Sequence, residues 1–138
     1  MTCILVLGCG AELGARLRDE LERHGAEIVV ADDPPAAVSA LSARRIDGVV
    51  AALDAESTTG PRASGLGLLL SARARHPIAR RVLVVDRRGP VVEAALATGI
   101  ADRVLAGPPS AVRVGALAEW LADVASSTNA SMSIGFTQ

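Results

Sequence analysis

The sequence predicts an α/β fold: a single-domain, three-layer α/β/α sandwich around a five-stranded parallel sheet. Three observations predict it. Short apolar runs alternate five times with amphipathic stretches. The first run, Cys3 to Leu7, is continuously apolar, as suits a strand buried on both faces. It stops at a glycine-rich turn, Gly8-Cys-Gly10, that opens a helix, and parallel sheets present their ligand-binding edge at such turns.

The elements follow in order. Leu13, Leu17 and Leu21 repeat every four residues, which predicts one buried stripe on a helix from about Ala11 to His24, stopped by Gly25. Glu27 to Ala31 reads as the second strand. It ends in Asp32-Asp33, one of which caps a helix begun by Pro34-Pro35, with Val38 and Leu41 inward. The third strand is Asp47 to Leu53. The stretch from Asp54 to Arg62 reads as an irregular loop, and Ser64 to Arg75 as a helix burying Leu66, Leu69 and Leu70. Pro77 ends that helix, and Arg81 to Asp86 is the fourth strand. Gly89-Pro90 opens a helix that stops at Gly99 and should bury Val91, Val92, Ala95 and Leu96. Arg103 to Ala106 is the fifth strand. Ser110 caps a last helix with Val112, Leu117, Leu121 and Val124 inward. Right-handed crossovers at this size favour the flavodoxin-like strand order 2-1-3-4-5. The domain should span residues 1–125, and the polar stretch 126–138 reads as a flexible or partner-docking tail.

Composition narrows the function. The chain of 138 residues can bury a core without disulfides or metal. Half of it is apolar, but the aromatic residues are only Trp120 and Phe136, so the core must be Ala, Val, Leu and Ile. A net charge of −1 argues against nucleic acid or an anionic membrane as the main partner. All 14 basic residues are arginine and there is no tyrosine, which excludes a P-loop lysine, a Schiff-base lysine and a catalytic tyrosine. The two cysteines, Cys3 and Cys9, form neither a disulfide framework nor a zinc pattern. No apolar run has the length of a membrane span and no signal-peptide pattern is visible, so a cytoplasmic location is expected.

Four groups of residues bear on chemistry. Gly8, Gly10 and Gly14 spell a G-x-G-x-x-x-G turn, one residue longer than the dinucleotide fingerprint. Asp32 lies 22 positions beyond Gly10, where a ribose-binding acid would sit. Nucleotide binding through Gly8, Gly10, Gly14 and Asp32 is one reading; a tight structural corner is the other. Cys9 stands just before a helix N-terminus, where a thiol pKa can be lowered; a small residue filling the corner is the favoured reading. A phosphatase-type loop would need an arginine at position 15, which is Ala15, with Arg16 one step late. Asp32, Asp33, Asp54 and Asp86 all fall near C-terminal strand ends, and a Mg²⁺ site would need two of them to converge. His24 and His76 have no partner at a recognisable spacing and read as surface residues.

From Asp47 onward the chain resembles the receiver domain of bacterial response regulators. The resemblance rests on Asp47-Gly-Val-Val, on the leucine-rich helix after Ser64, on His76-Pro, on the run from Val92 to Asp102, and on Val104-Leu-Ala-Gly-Pro108. It implies the 2-1-3-4-5 fold and names the positions that carry phosphotransfer in that family. The acid pair after strand one falls on Gly8 and Cys9. The phospho-accepting aspartate falls on Ala52, with Asp54 two residues on. The hydroxyl residue after strand four falls on Asp86, and the lysine before the strand-five proline falls on Gly107. The resemblance therefore implies a phosphorylation-incompetent pseudo-receiver: no enzyme, no cofactor, no metal, and a protein partner, a second copy of the chain included. Such modules often bind through the helix four–strand five–helix five face, here Arg103, Arg113, Glu119, Trp120 and Asp123. The opening residues, up to Asp33, also resemble the nucleotide-binding domains of potassium-channel regulators and small NAD-dependent dehydrogenases.

Overall fold

The computed structural model describes residues 2–53, 65–108 and 110–123. Strand β1 (Cys3–Leu7) leads to helix α1 (Gly10–Arg23), β2 (Glu27–Ala31), α2 (Pro34–Ala43), β3 (Gly48–Ala52), α3 (Gly65–Arg75), β4 (Arg80–Val85), α4 (Pro90–Ala97) and β5 (Arg103–Ala106). A fifth helix, α5, covers residues 111–123. All strand pairs are parallel and the order is β2-β1-β3-β4-β5, as the alternation predicted.

The period-2 alternation of each strand divides the core into two layers. Ile4, Val6, Val50, Val82 and Leu105 face Leu17 and Leu21 of α1 and Leu117 and Leu121 of α5. Leu5, Leu7, Val49, Leu83 and Val85 face Leu41 of α2, Leu68 and Leu69 of α3, and Val92 and Ala95 of α4. β1 is buried along its whole length, so a continuous apolar run is what its position requires.

The predicted punctuation marks act as predicted. Gly25 and Gly99 adopt a left-handed φ of 76° after α1 and α4. Of the two aspartates after β2, Asp33 is the cap: its carboxylate accepts from the Ala36 amide at 2.8 Å, while Asp32 is exposed. Ser110 Oγ accepts from the Arg113 amide at 3.2 Å. Asp47, just before β3, is buried and accepts from the Cys3 amide at 2.9 Å, joining the starts of β1 and β3.

Three inward assignments are corrected. Leu70, Val91 and Val112 are exposed, and their places in the core are taken by Leu68, Val92 and Val114. Leu70 and Val91 each adjoin an equally apolar residue, and Val112 and Val114 flank Arg113 as equal candidates, so the local pattern fixes no phase; the sheet surface does. His76 is also corrected. It is half-buried, and its Nε2 donates to the Leu41 carbonyl at 2.8 Å, joining the end of α3 to α2. His24 is exposed as expected. Asp54 to Ser64, Val124 and the 126–138 stretch lie outside the described residues.

Candidate functional site: a cleft at the carboxyl edge of the sheet

The carboxyl ends of β1, β3, β4 and β5 open onto a cleft of about 640 Å³. Parallel sheets bind ligands at this edge because crossover connections leave a crevice beyond the strand ends. Gly8, Cys9 and Gly10 form one wall with Glu12, Leu13 and Arg16 of α1. Ala52 ends β3, Val84, Val85 and Asp86 close β4, and Gly107 and Pro108 follow β5.

The turn into α1 is built on two left-handed glycines, Gly8 at φ 71° and Gly10 at φ 76°, which bracket Cys9. Only residues without a β-carbon take this conformation freely, so the glycines serve the corner itself. Gly107 adopts the same conformation at φ 71° on the opposite wall, and its amide donates to the Val85 carbonyl at 3.0 Å.

Cys9 is the N-cap residue of α1 but its side chain makes no capping bond. Its thiol turns inward, 3.7 Å from the Leu7 carbonyl, and packs against the core shared by α1 and α5. Burial pushes the thiol up to about 12, so the activated thiolate that a helix N-terminus suggested does not form.

The charged groups of the cleft lie on its rim. Glu12 and Arg16 form an exposed pair at 3.1 Å, one helical turn apart. Asp86 is exposed at the end of β4. Asp32 and Asp33 sit at the end of β2, separated from Asp86 by β1 and β3, so these carboxylates do not converge. Among the described residues, no three His, Cys, Asp or Glu side chains gather as a metal site.

The structure thus divides the sequence candidates. Gly8, Cys9, Ala52, Asp86 and Gly107, spread over nearly the whole chain, line one cleft together with Gly10. Gly14 and Asp32 are not among the lining residues. A β-carbon on Gly14 would meet nothing within 4 Å, so close helix–strand packing does not require that glycine. Asp54 lies outside the described residues. Glu12 and Arg16 are additions that the sequence reading did not assign to the site. Their signal is the i, i+4 spacing on the first turns of a helix that opens at the ligand edge.

The face assigned to a partner is spread along β5 and α5. Arg113 Nη1 donates to the Ala106 carbonyl at 3.0 Å, near the cleft, while Glu119 and Asp123 are exposed. Trp120 is half-buried at the opposite end of the sheet, with the guanidinium carbons of Arg80 and Arg103 at 4.8 and 4.3 Å from its ring centroid.

A five-stranded parallel sheet in this order, flanked by five helices and carrying its cleft at the β1–β3–β4–β5 edge, is the fold of CheY-like response-regulator receivers. A receiver domain protein from Methanospirillum hungatei superposes with a TM-score of 0.72 at 15% identity, covering 89% of this chain and 94% of that one. The receiver domain of a putative Luxo repressor protein from Vibrio parahaemolyticus gives 0.73 at 12%, covering 93% and 95%. An orphan response regulator of H. pylori gives 0.68 at 16%, covering 87% and 92%. No protein-family model matches the sequence, and no curated protein does. At these identities the likeness is one of fold. No helix among the described residues is long and apolar enough to cross a membrane.

Proposed function

We propose that this chain is a phosphorylation-independent, receiver-fold interaction module that acts in signalling or assembly by binding another protein, a second copy of itself included. The observation that carries this reading is the side-chain content of the cleft. Where the receiver resemblance puts acids, a phosphoacceptor and a lysine, the lining residues are Gly8, Cys9, Ala52 and Gly107. An acyl phosphate needs Mg²⁺ held by converging carboxylates and a cation to balance the new charge. The chain has no lysine at all, and Arg16, the one arginine among the described lining residues, is paired to Glu12. The left-handed backbone at Gly8 and Gly107 also disfavours an acid or a lysine at those two positions.

The test is to add acetyl phosphate, or beryllofluoride with Mg²⁺, and follow the amide NMR spectrum. The expected result is no change at Gly8, Ala52, Asp86 or Gly107. A covalent phosphate mapped to Asp54 or Asp86 would refute the proposal.

The size of the cleft and the two left-handed glycines of the turn into α1, Gly8 and Gly10, favour a second reading, a single-domain nucleotide binder of NAD(P) type. It loses Gly14 and Asp32 as cleft residues. A thermal-shift panel of NAD, NADP, ATP and cyclic dinucleotides separates the readings. A rise with one nucleotide that disappears in Arg16→Ala would reverse their order.

A further inference from the structure

We infer that the amino edge of the sheet carries a docking site for an acidic peptide segment of a partner protein, built from Arg80, Trp120 and Arg103. This rests on the reading of the chain as an interaction module and locates one of its surfaces.

The register creates the site. Arg103 pairs with Val82 across β4 and β5, and Arg80 lies two residues before Val82, so both arginines project to the face that α5 covers. Trp120 of α5 packs at the edge of that same layer. The two guanidinium carbons stand 4.8 and 4.3 Å from its ring centroid, and Arg80 Nη1 donates to the Trp120 main-chain carbonyl. Stacking on an indole holds a guanidinium in place while leaving its in-plane donors unspent. Arg103 is exposed, and no side-chain hydrogen bond ties its guanidinium to a described residue as it lies over the Trp120 ring.

Neighbouring arginines are treated differently. Arg44 is paired to Glu27 at 2.6 Å and Arg45 to Asp47 at 3.2 Å, while Arg81 has Asp102 at 3.9 Å. No described carboxylate lies within ion-pair distance of Arg80 or Arg103. Two like charges therefore share one ring with no ion pair to a carboxylate among the described residues. An external carboxylate meets a donor fork whose orientation is already fixed, so less side-chain entropy is lost on binding. A short acidic segment fits better than a polyanion, because a chain of net charge −1 gives nucleic acid or an anionic bilayer no extended field to follow.

Trp120 is the chain's single tryptophan, so its emission reports on this site directly. The experiment titrates the full chain with capped hexaglutamate. Capped hexalysine, heparin and phosphatidylserine vesicles are run alongside. The expected result is a saturable change in emission with hexaglutamate that weakens with salt, none with hexalysine, and about a tenfold or greater loss of affinity in Arg103→Glu. Arg103 is exposed at a strand end, so this variant should keep the wild-type circular dichroism. An unchanged emission, or an affinity that Arg103→Glu leaves intact, overturns the inference. So does a stronger response to heparin or vesicles than to hexaglutamate. Concentration-dependent self-association that Arg103→Glu abolishes would assign the surface to a second copy and overturn it too. None of these readouts involves the cleft, so failure here and failure of the phosphorylation test are separable.

Discussion

Arg81 is the residue whose removal should most disturb this domain. It lies beside Arg80 in β4 but points to the other face, and the residue is only 7% exposed. Nε donates to the Ile100 carbonyl at 3.1 Å, Nη2 to Gly99 at 3.0 Å, and Nη1 to Ala79 at 3.1 Å and Pro77 at 3.4 Å. The Arg81 amide donates to Asp102 Oδ2 at 2.9 Å. One side chain thus joins the α3–β4 turn to the α4–β5 turn. Arg81→Met keeps much of the aliphatic stem but leaves these carbonyls without their donor. A hydrogen bond to a charged group contributes about 1.5–3 kcal/mol, and the carbonyls of Pro77 and Gly99, being near the surface, regain water in the variant. The net loss is therefore about 3–5 kcal/mol, the range for breaking a buried charged network. In a domain of this size that lowers the melting temperature by about 10–20 °C. Urea unfolding followed by far-UV circular dichroism measures it directly, with the slope against denaturant unchanged. Arg87→Met is the control: Arg87 is exposed, and the change should stay within about 0.5 kcal/mol. A loss below about 1 kcal/mol for Arg81→Met would refute the account, because a buried five-donor group then contributes no more than a surface one.

Four further outcomes follow from the geometry. A β-carbon on Gly65 would stand 1.9 Å from the Ala52 carbonyl oxygen, so Gly65→Ala should destabilise by about 3 kcal/mol or more. Gly14→Ala, which meets nothing within 4 Å on a helix, should stabilise by about 0.5–1 kcal/mol in the same urea assay. Asp33→Ala removes the α2 cap and should cost about 1 kcal/mol, while Asp32→Ala should be nearly silent. Burial raises the Cys9 thiol from 9.0 to about 12, so its contribution to stability is whole below pH 9 and is lost as pH rises from 9 to 12. At pH 10 the loss is roughly 1.4 kcal/mol, and Cys9→Ala should flatten the pH dependence by that amount. The same shift predicts slow alkylation of Cys9 by iodoacetamide at pH 8.

The legible parts of this chain are those governed by near neighbours. Leu13, Leu17 and Leu21 announce their own stripe, and Gly25, Asp33, Gly99 and Ser110 mark helix ends through bonds or backbone angles that span a few residues. The phase of α3, α4 and α5 was less legible. Leu68, Leu69 and Leu70 are consecutive and equally apolar, and the third is the exposed one. Arg81 was illegible as a structural residue. A charged side chain opening a strand reads as a solvated end, and its carbonyl partners lie on two loops that sequence does not align. The sequence left Cys9 open between a reactive thiol and a small residue filling the corner for a related reason: position before a helix is local, but the direction of the sulfur depends on the layer beneath it, which makes it the corner residue.

The sequence by itself determined the alternation of strands and helices, the two-sided burial of β1, the glycine corner into α1 and the absence of any lysine chemistry. Each is a property of composition or of residues close along the chain. Only the tertiary structure decided that Gly8, Ala52, Asp86 and Gly107 line one cleft while Gly14 and Asp32 do not. It also decided that Arg80 and Arg103 meet on Trp120. The physical reason is that contacts between distant segments follow from strand order, register and the face each helix covers. Those are settled by packing the whole apolar surface at once, and no local pattern encodes them.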